Sequence, residues 1–345
     1  MQLTPCRRCN AAEAIQGNAT NYKLTMKTNC FLITNLLLAA ALLCPNLLEA
    51  QGIVMHVNSD GSPSITQRNS KKYKEIGRQY LECRYETYHL TDTTVKVDLA
   101  GKVFEGDTLK AAAENSFTGG WIARDLMVLQ IGKSLSKYFS YYKFHEDSLM
   151  SAMSMEQLRN FDYGSVKTGT TECVFKNYPE GKVTTTENVA VDRFKIEEPA
   201  IDFGWEIGDQ TKEILGYQCQ KAICSFRGRD YIAWFAPDIA VSEGPWKFGG
   251  LPGLIMEAYD SRNQYHFIIA GIRKVDDQPI KFLESQYIET SRTKYQKTLS
   301  RYLEDPIGYI NNNTNIKIRI SSPSGSESDA MKPKDLKYDQ MERDY

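Results

Sequence analysis

Gly244-Pro245-Trp246-Lys247-Phe248-Gly249-Gly250-Leu251-Pro252-Gly253-Leu254-Ile255 is the stretch from which the fold is read. Its glycines tolerate positive φ or close backbone approach, and its prolines fix φ and carry no donor, so 244–253 is neither regular helix nor central strand. The composition predicts an ordered, shaped loop. After it, Leu254 to Tyr259 suits a short strand, Asp260-Ser261-Arg262-Asn263 a turn, and Tyr265-His266-Phe267-Ile268-Ile269 a returning strand. A loop that feeds a hairpin is the expected unit.

Working outward, Lys221 to Phe226, a turn at Arg227-Gly228-Arg229-Asp230 and Tyr231 to Phe235 predict a second hairpin. With these residues in view, Gly250-Leu251-Pro252-Gly253-Leu254-Ile255 resembles the signature from which the GLPGLI family of secreted bacterial proteins takes its name. Gly216-Tyr217-Gln218-Cys219-Gln220-Lys221-Ala222, Phe226-Arg227-Gly228-Arg229, Trp234, Pro237 and Gly244-Pro245 follow the same family's order and spacing. The resemblance covers about 212–260 and extends over roughly 73–320. It implies an exported protein of bacteria with two membranes, and it brings no assigned reaction, cofactor or catalytic residue.

A chain of 345 residues, 41% hydrophobic and 25% charged, has an ordinary globular composition. A formal charge of -1, with Lys and Arg spread among acids, argues against nucleic-acid binding. At the N-terminus, Met26-Lys27 opens a basic region, Phe31 to Leu43 forms a short apolar run, and Leu48-Glu49-Ala50 supplies a cleavage site, which together predict a secretory signal over 26–50. Residues 1–25 are then expected to be an upstream extension from a start codon placed too early. The apolar run is too short to span a bilayer, and Cys44 follows Leu43 where lipidation requires a small residue, so neither a membrane anchor nor a lipoprotein is expected. No transmembrane segment is expected in the mature chain. Cleavage after Ala50 removes Arg7, Arg8, Lys23 and Lys27 with Glu13 and Glu49, leaving 38 basic against 41 acidic residues. It also leaves Cys83, Cys173, Cys219 and Cys224, an even number in an oxidising compartment, so disulfides are expected. Cys219 and Cys224 should not pair with each other, because five residues of strand span about 16 Å and odd spacing points their side chains to opposite faces. The remaining choices are Cys83–Cys219 with Cys173–Cys224, or Cys83–Cys224 with Cys173–Cys219.

Along the mature chain, 51–72 reads as a polar, flexible lead-in and 73–320 as a single domain without internal repeat or linker. Arg78 to Leu90 and Thr93 to Leu99 alternate as strands, and Asp125 to Ser148, with its aromatic cluster Tyr138, Phe139, Tyr141, Tyr142 and Phe144, is also expected as strand. Met150 to Leu158 suits one or two helical turns, with the methionines as adaptable core. Glu284 to Glu304 has helical spacing and a stop at Asp305-Pro306, and 321–345 reads as a polar tail. The fold class is therefore α+β and mainly β: a curved antiparallel sheet, half-barrel-like, with one late helix packed on it.

No Walker loop, Gly-x-Ser-x-Gly elbow or His-Glu-x-x-His is present, and His56, His89, His145 and His266 are scattered. No catalytic residue, metal ligand or cofactor is assigned. Glu197-Glu198, Glu206 and Asp209 read as solvated acids, and the arginines of Arg227-Gly228-Arg229 as solvated flanks of a turn. Two readings of the signature remain open. Trp246, Phe248, Leu251 and Leu254 could plug one end of the sheet; alternatively Trp234, Trp246, Phe248 and Leu251 could line an apolar mouth, with Lys247 as a cationic handle. The functional expectation is an exported, non-enzymatic binding or envelope-transport accessory protein, periplasmic or at the cell surface, that holds an apolar or peptide-like ligand or serves an envelope transporter. The alternative is a periplasmic hydrolase with a dispersed His and carboxylate site.

Overall fold

The computed structural model describes residues 72–90, 122–162, 165–313 and 340–343, together with five short strands between 53 and 110. The expected extension and signal at 1–50 lie outside the described residues. In chain order, β1 (Ile53–Val57) and β2 (Pro63–Gln67) pair as a hairpin inside the stretch expected to be a lead-in. Then come the long β3 (Lys72–Leu90) and a small sheet of β4 (Lys96–Val97), β5 (Val103–Glu105) and β6 (Thr108–Lys110). Next are β7 (Ile122–Gly132), β8 (Ser136–Ser140), helices α1 (Tyr141–Ala152) and α2 (Met155–Arg159), β9 (Cys173–Lys176), β10 (Lys182–Val189) and β11 (Asp192–Pro199). The remainder is β12 (Glu206–Ile214), β13 (Tyr217–Phe226), β14 (Arg229–Ala236), β15 (Leu254–Asp260), β16 (Tyr265–Glu284), β17 (Ile288–Thr290), α3 (Arg292–Glu304) and α4 (Pro306–Asn313).

Twelve of these strands form one open, curved sheet in the order β12-β13-β14-β15-β16-β3-β7-β8-β9-β10-β11-β17. Neighbours are antiparallel except β11 and β17. The spine is the long pair β3–β16, whose register shifts at Ile269/Gly271, Lys274/Gln278 and Ile280/Lys281. Each shift adds local twist and bend, which is how strands of this length can curve. Both predicted hairpins form. Arg227 and Gly228 take φ of 46° and 77°, the left-handed pair that a two-residue turn between twisted strands requires.

One face of the sheet carries much of the core: Leu81, Cys83 and Tyr85 of β3, Met127, Leu129 and Ile131 of β7, and Tyr231, Ala233 and Phe235 of β14, all buried with the signature loop's aromatic residues. Helix α3 covers a second cluster, with Tyr295 packed on Val189, Phe194 and Ile196 of β10 and β11. Among the described residues no helix is long and apolar enough to cross a membrane.

Several expectations are corrected. Tyr141, Tyr142 and Phe144 lie on a helix, because Ser140 caps it by accepting from Lys143 N at 3.0 Å, and Lys143 pairs with Asp147 at 2.7 Å one turn on. A run of aromatic residues satisfies strand alternation whatever its true period, which hid the cap. The late helix starts at Arg292, preceded by β17, and Pro306 opens a further helix after Asp305; proline at a helix's first position lacks only a donor that would be unused there. The four cysteines are free thiols. The sheet order explains this: β3 and β13 are four strand steps apart, across β16, β15 and β14, and β9 and β13 are seven. Steps of about 4.8 Å put such Cα atoms well beyond the roughly 7 Å a disulfide allows. Burial pushes the Cys83 and Cys224 thiols up to about 12 and those of Cys173 and Cys219 up to about 11, so none is a poised nucleophile.

Candidate functional site

The signature loop leaves β14 at Ala236 and re-enters the sheet at Leu254. Its glycines set its path. Gly250 has φ of 86°, while a Cβ at Gly253 would meet Ala236 O at 2.3 Å, a contact that only hydrogen permits. Trp246 itself has φ of 51°, an unfavourable value for a bulky residue that surrounding contacts must hold. Those contacts are present. Lys176 of β9 reaches under the loop and donates to Gly244 O at 2.8 Å and Phe248 O at 2.7 Å while pairing with Glu243 at 2.6 Å. Trp205 Nε1 donates to Gly249 O at 2.9 Å, and Trp246 Nε1 to Glu172 Oε1 at 3.1 Å.

The residues expected at an apolar mouth are all buried, with exposures of 9% for Trp234, 3% for Trp246, 5% for Lys247, 0% for Phe248 and 1% for Leu251. Phe248 meets Trp246, Tyr231, Phe203 and Phe267 at centroid distances between 5.0 and 5.9 Å. Trp234 is not among them. Alternation along β14 puts it on the opposite face from Tyr231, Ala233 and Phe235, where Lys212 lies 4.5 Å from its ring. On that face Glu257 binds Lys212 through one oxygen and His266 Nε2, at 2.8 Å, through the other. Burial alone would raise the Glu257 carboxyl, but His266 and Lys212 outweigh it and hold it below its ordinary value.

Lys247 points the other way, into a polar network at the rim of the core. Its ammonium lies 3.0 Å from Glu198 Oε2 and 2.8 Å from Glu342 Oε1. Arg227 binds the same two carboxylates, at 2.7 Å to Glu198, and Arg292 of α3 adds a third cation 3.3 Å from Glu198. Glu198 is therefore a buried member of an ion cluster and not a solvated acid; burial raises its carboxyl, and Lys247 with Arg227 lowers it further. Behind the cluster, Glu172 and Glu187 are pushed up by burial, Glu187 to about 8, and Glu187 accepts from Tyr295 OH. Burial thus favours the neutral form of Glu187.

Glu342 arrives from the far end of the chain. Gln340 to Arg343, part of the expected polar tail, lies as a strap across the 227–228 turn, β14 and α3. Arg229 donates twice to Gln340 O, at 2.9 and 3.2 Å, Tyr231 OH to Met341 O at 3.1 Å, and Gln296 Nε2 to Glu342 O at 3.0 Å. Arg343 N donates to Arg227 O at 2.9 Å, and a Cβ at Gly228 would sit 2.9 Å from Arg343 Cβ. Arg229 is not a solvated turn residue either. Its side chain is 1% exposed and is oriented by Asp260 at 2.9 Å and Gln264 at 2.7 Å. Reading the chain as a sequence missed Arg229, Tyr231, Glu198, Gln296 and Glu342; only the close pair of arginines around Gly228 hinted at them.

Residues 226–257 match a family model, described as a protein of unknown function (Porph_ging), for a domain found in Bacteroidetes. That segment begins at the last residue of β13, includes Arg227, Arg229, Tyr231 and the whole signature loop, and ends in β15. The Porph_ging match thus spans one wall of the strap's groove and leaves out Glu198, Arg292, Gln296 and Glu342. It agrees with the GLPGLI-type resemblance. No curated protein matches the chain. Among solved structures, two chains of PNGF-II, in P21 and C2 space groups, match at 14% identity with TM-scores of 0.40 and 0.39. Each alignment covers 65% of this chain, which spans about a third, 33%, of those chains.

Elsewhere, a surface depression of about 330 Å³ is lined by Lys195, Glu197, Glu289, Thr290, Ser291 and Lys294. Its walls are polar, and Lys195 pairs there with both Glu197 and Glu289. It is not the aromatic mouth expected beside the signature. Among the described residues no cluster of His, Cys, Asp and Glu is arranged to hold a metal ion.

Proposed function

We propose that the chain is an exported, non-enzymatic binding protein of the bacterial envelope whose ligand is peptide-like. Export rests on the signal read at 26–50 and on the family resemblance. Peptide binding rests on the strap: three successive carbonyls, of Gln340, Met341 and Glu342, each accept from a side chain of the folded body. Side chains that read main-chain groups are how a groove holds an extended segment irrespective of most of its sequence. Part of this site is set without the strap, since Asp260 and Gln264 hold Arg229, and Glu198 holds Arg227 and Lys247, the cations that meet the Glu342 side chain.

The test is binding in trans. A labelled peptide with the sequence of residues 338–345 is titrated against the full mature chain carrying Glu342→Lys, which places a fourth cation in the cluster and disfavours the strap. Micromolar affinity by fluorescence anisotropy supports the reading, and no binding at millimolar peptide overturns it. Export is tested by N-terminal sequencing of the periplasmic protein, expected to start at Gln51.

A second reading, hydrolysis, has one contact in its favour: His266 Nε2 lies 2.8 Å from Glu257, which could orient an imidazole base. Its test is His266→Ala against general ester and peptide substrates, where a loss of turnover would support it.

A further inference from the structure

The groove does more than hold a main chain, because it also places a side-chain carboxylate among three cations. We infer that residues 340–343 are the chain's own stand-in for a partner peptide carrying a glutamate in the position of Glu342, and that they keep a carboxylate-reading site occupied in the resting protein. This rests on the peptide-binding reading above and adds the ligand's chemistry and its regulation.

Charge complementarity carries the argument. Lys247, Arg227 and Arg292 surround Glu342, and of their contacts Glu198 is the carboxylate supplied by the body of the sheet. Among the described residues, Glu198 is the one carboxylate besides Glu342 that bridges all three cations. Partly buried positive charge favours a second carboxylate beside Glu198. Here it comes from a segment of four described residues held mainly by polar contacts. The residue before it, Met341, is half-buried and packs against the apolar core, which fixes a second feature of the ligand. Gln340 is read through its carbonyl, and its amide reaches Ser300 on α3 at 2.8 Å. The expected ligand is an extended peptide with an apolar residue followed directly by glutamate.

Alternative uses of the same cations fit less well. A free phosphate would replace the carboxylate but would leave the donors of Arg229, Tyr231 and Gln296 without their carbonyls. The three main-chain contacts favour a peptide.

The experiment uses the full mature chain in three forms: wild type, Glu342→Gln and Met341→Ser. The last loosens the strap without touching the cations and serves where Glu342→Gln perturbs folding. Each is titrated with labelled peptides carrying residues 338–345 with Glu, Gln or Lys in the position of Glu342. On Glu342→Gln or Met341→Ser, the Glu peptide should bind at least about tenfold tighter than the Gln peptide, as expected for charge-assisted bonds, and the Lys peptide should be weakest. The wild-type chain should bind the Glu peptide at least about tenfold more weakly than either variant, because its own strap competes.

Equal binding of Glu and Gln peptides would overturn the carboxylate site while leaving peptide binding intact. Equal binding by wild type and both variants would overturn the occupancy by the strap. Failure of every peptide on every form would bring down the underlying reading itself. Light scattering is run on the same samples. A dimer that the peptide cannot displace would overturn the proposal by giving the groove to residues 340–343 of a second copy.

Discussion

The signature loop and the C-terminal strap are both irregular segments held by side chains that donate to their carbonyls, yet they differ in what else they bury. Lys176 and Trp205 grip the loop as Arg229, Tyr231 and Gln296 grip the strap. The loop then sinks Trp246, Phe248 and Leu251 into the aromatic core at 3% exposure or less, whereas the strap inserts a glutamate and half of one methionine. Burying large apolar side chains contributes about 1.5–3 kcal/mol each, while a typical net hydrogen bond contributes about 1 kcal/mol. The difference teaches that one device can serve two ends: combined with apolar burial it fixes architecture, and without it the segment can be exchanged.

The strongest way to break this comparison is at Gly253. A side chain there would run into Ala236 O and Pro237 Cα, both backbone, so Gly253→Val should cost more than about 4 kcal/mol or prevent folding. The cause is close approach of another strand's backbone and not a positive φ. Denaturant melts that left stability unchanged would mean the loop is not fixed where it is described.

Trp246→Ala comes next, at about 3–5 kcal/mol, because it empties a cavity beside Phe248 and strands Glu172 without its indole donor. A loss below about 1 kcal/mol, together with a lost ligand, would restore the apolar mouth. Lys247→Ala, which a surface handle would tolerate, should instead cost about 3 kcal/mol, since it leaves Glu198 and Glu342 buried with one partner fewer.

On the strap, Glu342→Gln should cost only about 1–2 kcal/mol, because undocking of four residues caps the loss. If thermal melts put it level with Trp246→Ala, the strap is architecture too and the contrast fails. The last effect has the opposite sign. Glu187 sits near Glu172, Lys247, Glu342 and Tyr295, and burial raises its carboxyl to about 8 from 4.5. Its contribution to stability is complete below about pH 4.5 and is lost as the pH rises through about 8, because the unfolded chain ionises first. Glu187→Gln cannot ionise, so it should match wild type at pH 4 and melt higher at pH 8. Parallel melting curves at both pH values would show that Glu187 is ionised in the fold.

Local pattern carried much of the fold. The turn chemistry of Arg227-Gly228 and of Asp260 to Asn263 marked two hairpins, and alternation at Leu81, Cys83 and Tyr85 marked one face of the spine. The signature was legible as a shaped loop because glycine and proline restrict the backbone through their own covalent structure. The helix at Tyr141 was not, since an aromatic run suits either period and the deciding cap is a single serine. The expected disulfides failed for a related reason: an even cysteine count states a compartment's tendency, while pairing depends on strand order.

What the sequence by itself determined is therefore the β-rich class, the hairpins around the signature and the signature's being an irregular loop, all set by residues within a few positions of one another. What only the tertiary structure decided is which charges are buried and with whom. Lys247 meets Glu198 and Glu342 across 49 and 95 positions, and Arg229 meets Gln340 across 111. Periodicity and turn propensity act over one or two turns of chain, but the desolvation that makes a glutamate part of a site depends on what the fold lays on top of it.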